Sequence, residues 1–593
     1  MKPGVAFPDH IYKEKIKRYK NSALFGKNYP IRSPWMIIFL SLSVMILFGR
    51  LFYLQVVKGV YYRYLADGNR IKTVKIHAPR GIISDRNGVA VVFNKPGYRQ
   101  VVENKTRILD NDEALELIAE GQENIEIDSL RSYPYKDSLP HVLGFIGQIS
   151  ENELKREEFV NYKGGDLIGK MGIEQRYETR LRGADGKMLV EVDSVGKVIR
   201  KLGQTEPLPG KNIFLTIDIG LQNAVYSAMQ DVKKGAAIVS SLDGEILAMV
   251  SKPSFDPNLF TMGENYKASD SSYSSLEEVL LDEENQPLIN RAISGVYPPG
   301  STFKLIVAAA GLDKDIIDEN FVVEDTGVLK IREFSFANWY FTKYGKTDGL
   351  VNVVKGIQRS NDIFFYKLAE KIGVDKISEM AEKFGVGRKL GIDLIGEEKG
   401  TLPTTSWKKE VIGDSWYLGD TYHYGIGQGF LLTTPLQVNA WTQAIANEGR
   451  LYQPHLLKSS KFKVQSSKFL SEKTVFLIRK GMVESCSPGG MAWPLFKLKI
   501  KNEKLKIDGK NFLEVSVGST SAKLKDQIEV VIACKTGTAE HGGQESKPHA
   551  WITLFAPAYD PQIVITILAE SSGEGSNVAA PIAKKILEEW FGR

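Results

Sequence analysis

Tyr297-Pro-Pro-Gly-Ser-Thr-Phe-Lys304 runs directly into Leu305-Ile-Val-Ala-Ala-Ala310. Pro-Pro-Gly cannot continue a preceding helix, whereas the apolar, alanine-rich run behind it favours a buried one. Ser301 is therefore expected at a helix start, with Lys304 three residues on and one turn along the same face. The pair supplies a hydroxyl nucleophile and an amine close enough to take its proton, provided burial depresses the amine's pKa. The amides and dipole of the helix start would favour negative charge developing on a carbonyl under attack. Alone, the pattern is weak. Ser-x-x-Lys recurs at Ser194-Val-Gly-Lys197 and Ser406-Trp-Lys-Lys409, without the Pro-Pro-Gly lead or the long apolar helix, and a serine at a helix start is also an ordinary cap.

Two further elements change that weighting. Ser360-Asn361-Asp362, 59 residues beyond Ser301, opens the apolar run Ile363-Phe-Phe-Tyr366. Lys535-Thr536-Gly537-Thr538, 234 residues beyond Ser301, ends the run Val530-Val-Ile-Ala-Cys534. The last element puts a cation, two hydroxyls and a small residue at a strand edge, where a carboxylate and an extended peptide could dock beside a sheet.

Working outward, Ala236 to Val250 reads as two apolar runs joined at Asp243-Gly244, a strong hairpin signal. Asn212 to Asp218 reads as a strand, Trp551 to Phe555 and Ile563 to Leu568 as two more, and 579–591 as a closing helix. Strands at both ends of this region with helices between them predict a split antiparallel sheet, an α+β arrangement. Upstream, Ala78-Pro-Arg-Gly-Ile-Ile-Ser-Asp-Arg-Asn-Gly88 is expected to form a hairpin, 111–121 a helix, and Gly172 to Arg182 a partly exposed helix. No catalytic constellation stands out there, and the default reading is a spacer or interaction module. The stretch Thr261 to Gln286, with seven acids and one Lys, is expected to be a loop or lid without a chemical role.

Trp35 to Leu54 forms a 20-residue apolar run with Arg50 as its one charge, about enough for a helix to cross a hydrocarbon core of roughly 30 Å. It is too long for a cleaved signal peptide and lacks a small-residue cleavage site. Residues 1–33 hold eight Lys or Arg against Asp9 and Glu14, which accounts for the whole net charge of +6. The positive-inside rule then places this tail in the cytoplasm and the bulk of the chain outside. Because the rest of the chain balances to zero, a globally basic nucleic-acid binder is poorly supported. Over 593 residues, 43% hydrophobic and 25% charged composition excludes a disordered or disulfide-stapled chain. Cys486 and Cys534 define no disulfide framework or metal-finger spacing. With His541 and His549, Cys534 makes the one tempting ligand trio, but its separations do not favour a zinc site, and Val351 to Gln358 contains no Cys or His. No metal and no cofactor is expected; stoichiometric zinc in purified protein would overturn this.

The serine–lysine pair, Ser-x-Asp and Lys-Thr-Gly, in this order, resemble the motif set of penicillin-binding proteins and class A β-lactamases. Over nearly the whole chain the sequence is similar to class B penicillin-binding proteins, and to their elongation subgroup. Further family-like stretches are Arg50 to Gly59, Ala78-Pro-Arg-Gly81, Asp85 to Gly88, His141 to Gly144, Gly169 to Glu174, Gly419-Asp-Thr421, Gly425 to Gly429 and His549-Ala-Trp551. The lack of a glycosyltransferase region ahead of the spacer argues against class A. The resemblance implies a basic tail 1–33, a transmembrane helix 34–57, a pedestal 58–208 and a transpeptidase domain 209–593 with an antiparallel sheet flanked by helices. It implies a serine D,D-transpeptidase that cross-links peptidoglycan stem peptides and is acylated by β-lactams. Ser301 would be the nucleophile, Lys304 the base, and Ser360 and Asp362 would relay or position protons. Lys535, Thr536, Gly537, Thr538 and Asn361 would hold substrate, and the amides of Ser301 and Thr538 would form the oxyanion hole. Asp362 stands where many relatives have Asn, which suits the elongation subgroup. The implied partners are a SEDS-type (RodA-like) glycan polymerase and other elongation-complex proteins at the membrane, with no nucleic acid.

Two other readings remain open at this stage. One is a β-lactam-hydrolysing or sensing protein of the same fold, which would need a base for deacylating water that the sequence does not reveal. The other is a catalytically inactive scaffold that recruits wall-synthesis proteins through residues 60–208.

Overall fold

The structure, a computed structural model, describes residues 34–592 apart from 103–104, 110, 121, 123–124, 194–197, 264–265, 459–463, 502–526 and 543–545. The basic tail 1–33 and the Ser194-Val-Gly-Lys197 copy of the serine–lysine pattern lie outside the described residues. The chain divides into two units: Met1–Val74 with Leu189–Gly203, and Lys75–Met188 with Gln204–Arg593.

In the first unit, helix α1 (Pro34–Phe52) continues through a wider turn at Tyr53–Val57. Pro34–Val57, 24 residues with none buried, is the one described helix long and apolar enough to cross a membrane, and it fits a single-pass anchor.

In the second unit, β1 (Ile83–Ser84) and β2 (Ala90–Val102) form the expected hairpin, and β2 continues into a ladder with β3 (Ile125–Ser132). The strand expected over 212–218 is only β4 (Ile213–Phe214), and it pairs in parallel with β1, so the chain just past residue 208 leads back into the upstream sheet. The helix expected over Gly172 to Arg182 is broken at Tyr177 into Gly172–Arg176 and Glu178–Leu181. Its two glutamates are buried, while Arg176 and Arg180 are exposed. Glu174, with no exposed surface, receives Arg131 Nε at 2.7 Å and Arg80 Nη2 at 2.8 Å, and the same Arg80 nitrogen bonds Glu178 at 2.8 Å. Burial pushes the Glu174 carboxyl up, but Arg131 and Arg80 more than offset this and hold it below its ordinary range.

The larger core surrounds a five-stranded antiparallel sheet. Its strands are β5 (Gly235–Ser240), β6 (Ile246–Lys252), β7 (Ala533–Ala539), β8 (His549–Ala556) and β9 (Ile563–Ala569), in the order β6-β5-β9-β8-β7. The first hairpin and the last three strands close on each other through β5–β9 pairing, so this is the split sheet the sequence predicts. Strand alternation divides two cores. Ala236 and Ile238 pack in a cluster with Trp441 and Ala444 of the helix Pro435–Ala446. Ala237 and Val239 pack with Leu221 and Val225 of Ile219–Ala228 and with Ala583 and Leu587 of Ala579–Gly592.

The acidic stretch Thr261 to Gln286 is not a free loop or lid. Tyr273 and Val279 are buried, Leu276–Leu281 is helical, and Ser271 Oγ bonds both oxygens of Asp137 at 2.7 and 2.8 Å. Three apolar anchors, Ala268, Tyr273 and Val279, carry this segment onto the core, while Asp270, Glu277, Glu278, Glu283 and Glu284 are exposed. Cys486, at the end of Glu472–Ser485, is joined by a disulfide to Cys534 of β7, a covalent link that two isolated cysteines in the sequence do not reveal.

Candidate active site

Gly300–Phe303 forms a single 3-10 turn that passes into the buried helix α2 (Lys304–Asp313), as Pro-Pro-Gly and the apolar run predict. The turn is pinned on three sides. Tyr297 and Thr433 exchange backbone hydrogen bonds of 2.9 and 2.8 Å, Gly300 N donates to Gly427 O at 2.9 Å, and Trp551 Nε1 donates to Pro298 O at 3.1 Å. Gly300 has φ +53°, and a Cβ there would lie 2.9 Å from Thr538 O. Glycine thus allows the Ser301 turn and the backbone of Thr538 to approach, the pairing expected of an oxyanion hole.

Lys304 has no exposed surface, and its ammonium donors are occupied. Nζ reaches Asp362 Oδ1 at 2.6 Å, Ser360 O at 2.8 Å and Ser360 Oγ at 3.3 Å. Among the described residues Ser301 Oγ makes no hydrogen bond, so Ser301 and Lys304 are not hydrogen-bonded to each other in this structure. A carboxylate and a carbonyl outcompete a neutral hydroxyl for the amine. Burial lowers the pKa of Lys304, and Asp362 opposes that shift.

Lys535, also fully buried, donates to Ser360 Oγ at 2.9 Å and to Thr536 O at 2.9 Å. Burial and the nearby Lys304 push its pKa well below the ordinary lysine value, with Asp362 opposing. Two amines flank one hydroxyl, and two charges this close in a buried site repel strongly, so their protons titrate as a coupled system. Ser360 caps the C-terminus of Val353–Arg359 in the left-handed region at φ +52°, an uncommon conformation for serine that presents both its carbonyl and its hydroxyl to the amines.

Asp362 is held by its neighbours. Trp339 N donates to Oδ2 at 3.0 Å, and Asp362 N donates to Asn338 Oδ1 at 3.2 Å. Asn338 in turn donates to Asp325 Oδ2 at 2.8 Å. The buried Asp325 carboxylate accepts from Asn361 Nδ2, from Asp348 N and from Gly327 N as well, at 2.8 to 2.9 Å. Asn361 is therefore corrected as a substrate-binding candidate. It is fully buried, its Oδ1 caps the next helix through Phe364 N at 2.9 Å, and its Nδ2 is spent on Asp325 and Asp348. Asp325, Asn338, Trp339 and Asp348 carry no motif signal, and sequence reading misses them; only the fold brings them to the second motif.

On β7, Gly537 is there for close approach. A Cβ would lie 3.0 Å from Trp551 Cβ, 3.1 Å from Thr302 Cγ2 and 3.2 Å from Pro299 O. Thr536 and Thr538, two residues apart, lie on the same face of the strand, and of the two Thr536 is buried and Thr538 exposed. Among the described strands β7 pairs on one side, with β8, and its other edge borders the serine turn. Lys343 of the helix Trp339–Tyr344 forms an ion pair with Glu574, next to the Gly575 that packs against Gly537 O.

The Cys534, His541, His549 trio does not converge as a ligand set. The Cys534 sulfur is committed to Cys486, and the two imidazoles stack with centroids 3.8 Å apart. His549 Nδ1 accepts from Ser571 N at 3.1 Å, and burial first, then His541, lowers its pKa to about 4.

The sequence matches two family models: the penicillin-binding protein transpeptidase domain over residues 235–588, and the penicillin-binding protein dimerisation domain over 120–215. It is 32% identical to the peptidoglycan D,D-transpeptidase MrdA of Salmonella typhimurium, over 92% of this chain and 93% of the relative. It is 31% identical to MrdA of Escherichia coli K12, over 93% of each. Among solved structures it is similar to Pseudomonas aeruginosa PBP2 in complex with WCK 5153, at 32% identity and TM-score 0.66, covering 88% of this chain and 96% of that one. It is also similar to Helicobacter pylori PBP2 in complex with MreC, at 26% identity and TM-score 0.71, covering 88% and 98%. Relatives of this identity run along nearly its whole length, and the matched transpeptidase domain contains all three motifs that meet around Ser360: the chain belongs to the penicillin-binding protein transpeptidases.

Proposed function

We infer that the protein is a serine peptidoglycan D,D-transpeptidase of cell-wall elongation, which joins stem peptides through an acyl-enzyme on Ser301. The observation that carries this reading is the Ser360 hydroxyl held between Lys304 and Lys535, at 3.3 and 2.9 Å, beside the Ser301 turn. With its lone pairs facing the two amines, the Ser360 O–H is left to donate toward the cleft.

Ser301 Oγ attacks the carbonyl of the penultimate D-alanine, and its proton passes to Lys304, whose lowered pKa makes it a base. Resting-state contacts of such a base need not include the nucleophile, since catalytic hydrogen bonds often tighten only when substrate is bound. The oxyanion is met by the amides of Ser301 and Thr538. Lys535, Thr536 and Thr538 bind the terminal carboxylate, and Gly537 lets the substrate strand lie against β7. Ser360, through Lys304 and Lys535, returns the proton to the departing D-alanine amine. The amine of a second stem peptide then attacks the ester carbonyl: the C–N bond forms, the C–Oγ bond breaks, and the amine proton returns to Ser301. Asp362 orients Lys304 throughout.

The helix Pro34–Val57 anchors the protein in the cell membrane, with 1–33 cytoplasmic and the catalytic part on the far side. An oxidised Cys486–Cys534 pair suits that compartment. The division into a 58–208 pedestal and a 209–593 transpeptidase domain belongs to the same reading, as do partnership with a RodA-like polymerase and an elongation complex. A structural neighbour solved with MreC and another described as a peptidoglycan synthase complex support such partners.

Fluorescent penicillin tests the core of this reading. Persistent labelling of the full-length protein, lost in Ser301→Ala, is expected. Rapid turnover of the label, or labelling that survives the substitution, would overturn it.

A further inference from the structure

Away from the serine, a cavity of about 620 Å³ opens between the segments 382–388 and 399–407. Arg388 and Lys399 line it from opposite chain segments, together with Glu382, Thr401, Thr404 and Trp407. Its volume is within the range of small-molecule sites. The two cations are not neighbours by accident of a flexible surface. Gln437, 1% exposed, points its amide nitrogen at Arg388 O and Lys399 O, both at 3.0 Å, and at Gly385 O at 3.2 Å. Its Oε1 is fixed by Thr434 N at 3.0 Å. One buried amide thus clamps the two cationic residues by their backbones. Among the described residues neither side chain has a hydrogen bond or an ion pair. Both side chains are exposed at the cavity, so their charges can pair with an anion from solution.

The remaining lining narrows the ligand. Trp407 offers a partly exposed aromatic face, braced by Phe430 at 5.6 Å between ring centroids, and the threonines offer hydroxyls. Glu382 adds one carboxylate to the two cations. An aromatic face suits a sugar ring, and two cations with one anion suit a group bearing more carboxylates than amines.

We propose that this cavity is an exosite for the glycan-peptide strand, engaging the stem-peptide carboxylates through Arg388 and Lys399 and a sugar ring through Trp407. The identity of the ligand rests on the transpeptidase reading above. The site has a rigid connection to the chemistry: Thr401 N donates to Leu432 O at 2.8 Å, and the next residue, Thr433, bonds Tyr297, four residues before Ser301. Strand occupancy there would hold polymer beside the cleft between acylation events and raise its effective concentration.

The test is binding of a fluorescent disaccharide-peptide to the full-length protein in detergent, with Ser301 first acylated by penicillin so that the cleft is blocked. Saturable binding is expected, weakened by raised salt and weakened at least tenfold in Arg388→Glu/Lys399→Glu, while Arg388→Lys/Lys399→Arg stays within about threefold of wild type. Thermal unfolding of each variant reports folding independently. No saturable binding to the acylated protein, or equal affinity in the charge-reversed variant with an unchanged Tm, would overturn the exosite. Failure of wild type to take penicillin at all would instead sink the transpeptidase reading; the titration is then made on the unacylated chain and still decides whether the cavity binds the probe.

Discussion

Lys304 Nζ lies 2.6 Å from Asp362 Oδ1 with no exposed surface on the lysine, so the residue one turn beyond Ser301 is paired to the second motif in the resting protein. Asp362 is the influence that raises the pKa of Lys304 against the lowering effect of burial. Asp362→Asn removes the charge and keeps the size. A base with a lower pKa is unprotonated at lower pH, so the acid limb of the pH profile for acylation should move to lower pH in this variant. Stopped-flow acylation by a chromogenic β-lactam measures it; an unmoved limb would show that Asp362 does not tune the base.

Lys535 yields a stability prediction. Its folded pKa is well below the ordinary lysine value, chiefly through burial, so below pH 10.5 the unfolded chain binds more protons at this site than the folded one. That contribution to stability increases as pH rises through the folded pKa toward 10.5. Lys535→Met abolishes acylation but removes this penalty, so the variant should gain stability over wild type, with the gain shrinking as pH rises. Urea unfolding at a series of pH values reads the difference.

Asp325 organises the second motif through four N–H donors. Asp325→Asn turns an amide toward some of those donors and leaves buried groups unpaired. Destabilisation of about 2–4 kcal/mol is expected, together with slower acylation because Asn338 no longer fixes Asp362. Denaturant titration and the acylation rate check the two effects separately.

Gly537→Ala would place a methyl 3.0 to 3.2 Å from Trp551, Thr302 and Pro299, between β7 and the serine turn. Overpacking of this kind costs about 1–3 kcal/mol, and here it pushes apart the two backbones that would meet the oxyanion. Acylation should fall at least tenfold, on the order of 1.4 kcal/mol in the barrier, while Gly164→Ala, at a glycine likewise outside the left-handed region and with nothing within 4 Å of the added carbon, offers a comparison for backbone effects alone.

Cys486 and Cys534 are 48 residues apart, and the second immediately precedes Lys535. Closing a loop of that length is worth about 4 kcal/mol in the chain-entropy picture. Cys486→Ala/Cys534→Ala should lose a large part of it, seen as a lower urea midpoint, whereas the same double substitution in reducing buffer should match reduced wild type.

The features legible in the sequence are those set by neighbours along the chain. Pro-Pro-Gly before an alanine-rich run dictates a turn and then a helix, Asp243-Gly244 between apolar runs dictates a hairpin, and the order of the motifs points to the chemistry. The misreadings have a common origin. Glu174 and Glu178 look like exposed helix charges because Arg80 and Arg131, which neutralise them, are more than 40 residues away. Asn361 looks like a cleft residue because it sits between two that are, yet successive residues at a helix start point in different directions, and its amide turns to Asp325. The acidic stretch 261–286 looks solvated because its few apolar anchors are outnumbered.

By itself the sequence determined the serine turn, the buried helix behind it, the apolar span and the sheet's two halves, because propensity, turn chemistry and apolar periodicity act over a few residues. Only the tertiary structure decided which groups meet: Lys304 with Asp362 rather than Ser301, Ser360 between two amines, Cys486 with Cys534, and Gln437 clamping Arg388 beside Lys399. Hydrogen bonds and charge pairing act across space at about 3 Å, and Ser360 and Lys535, which they join, are 175 positions apart along the chain.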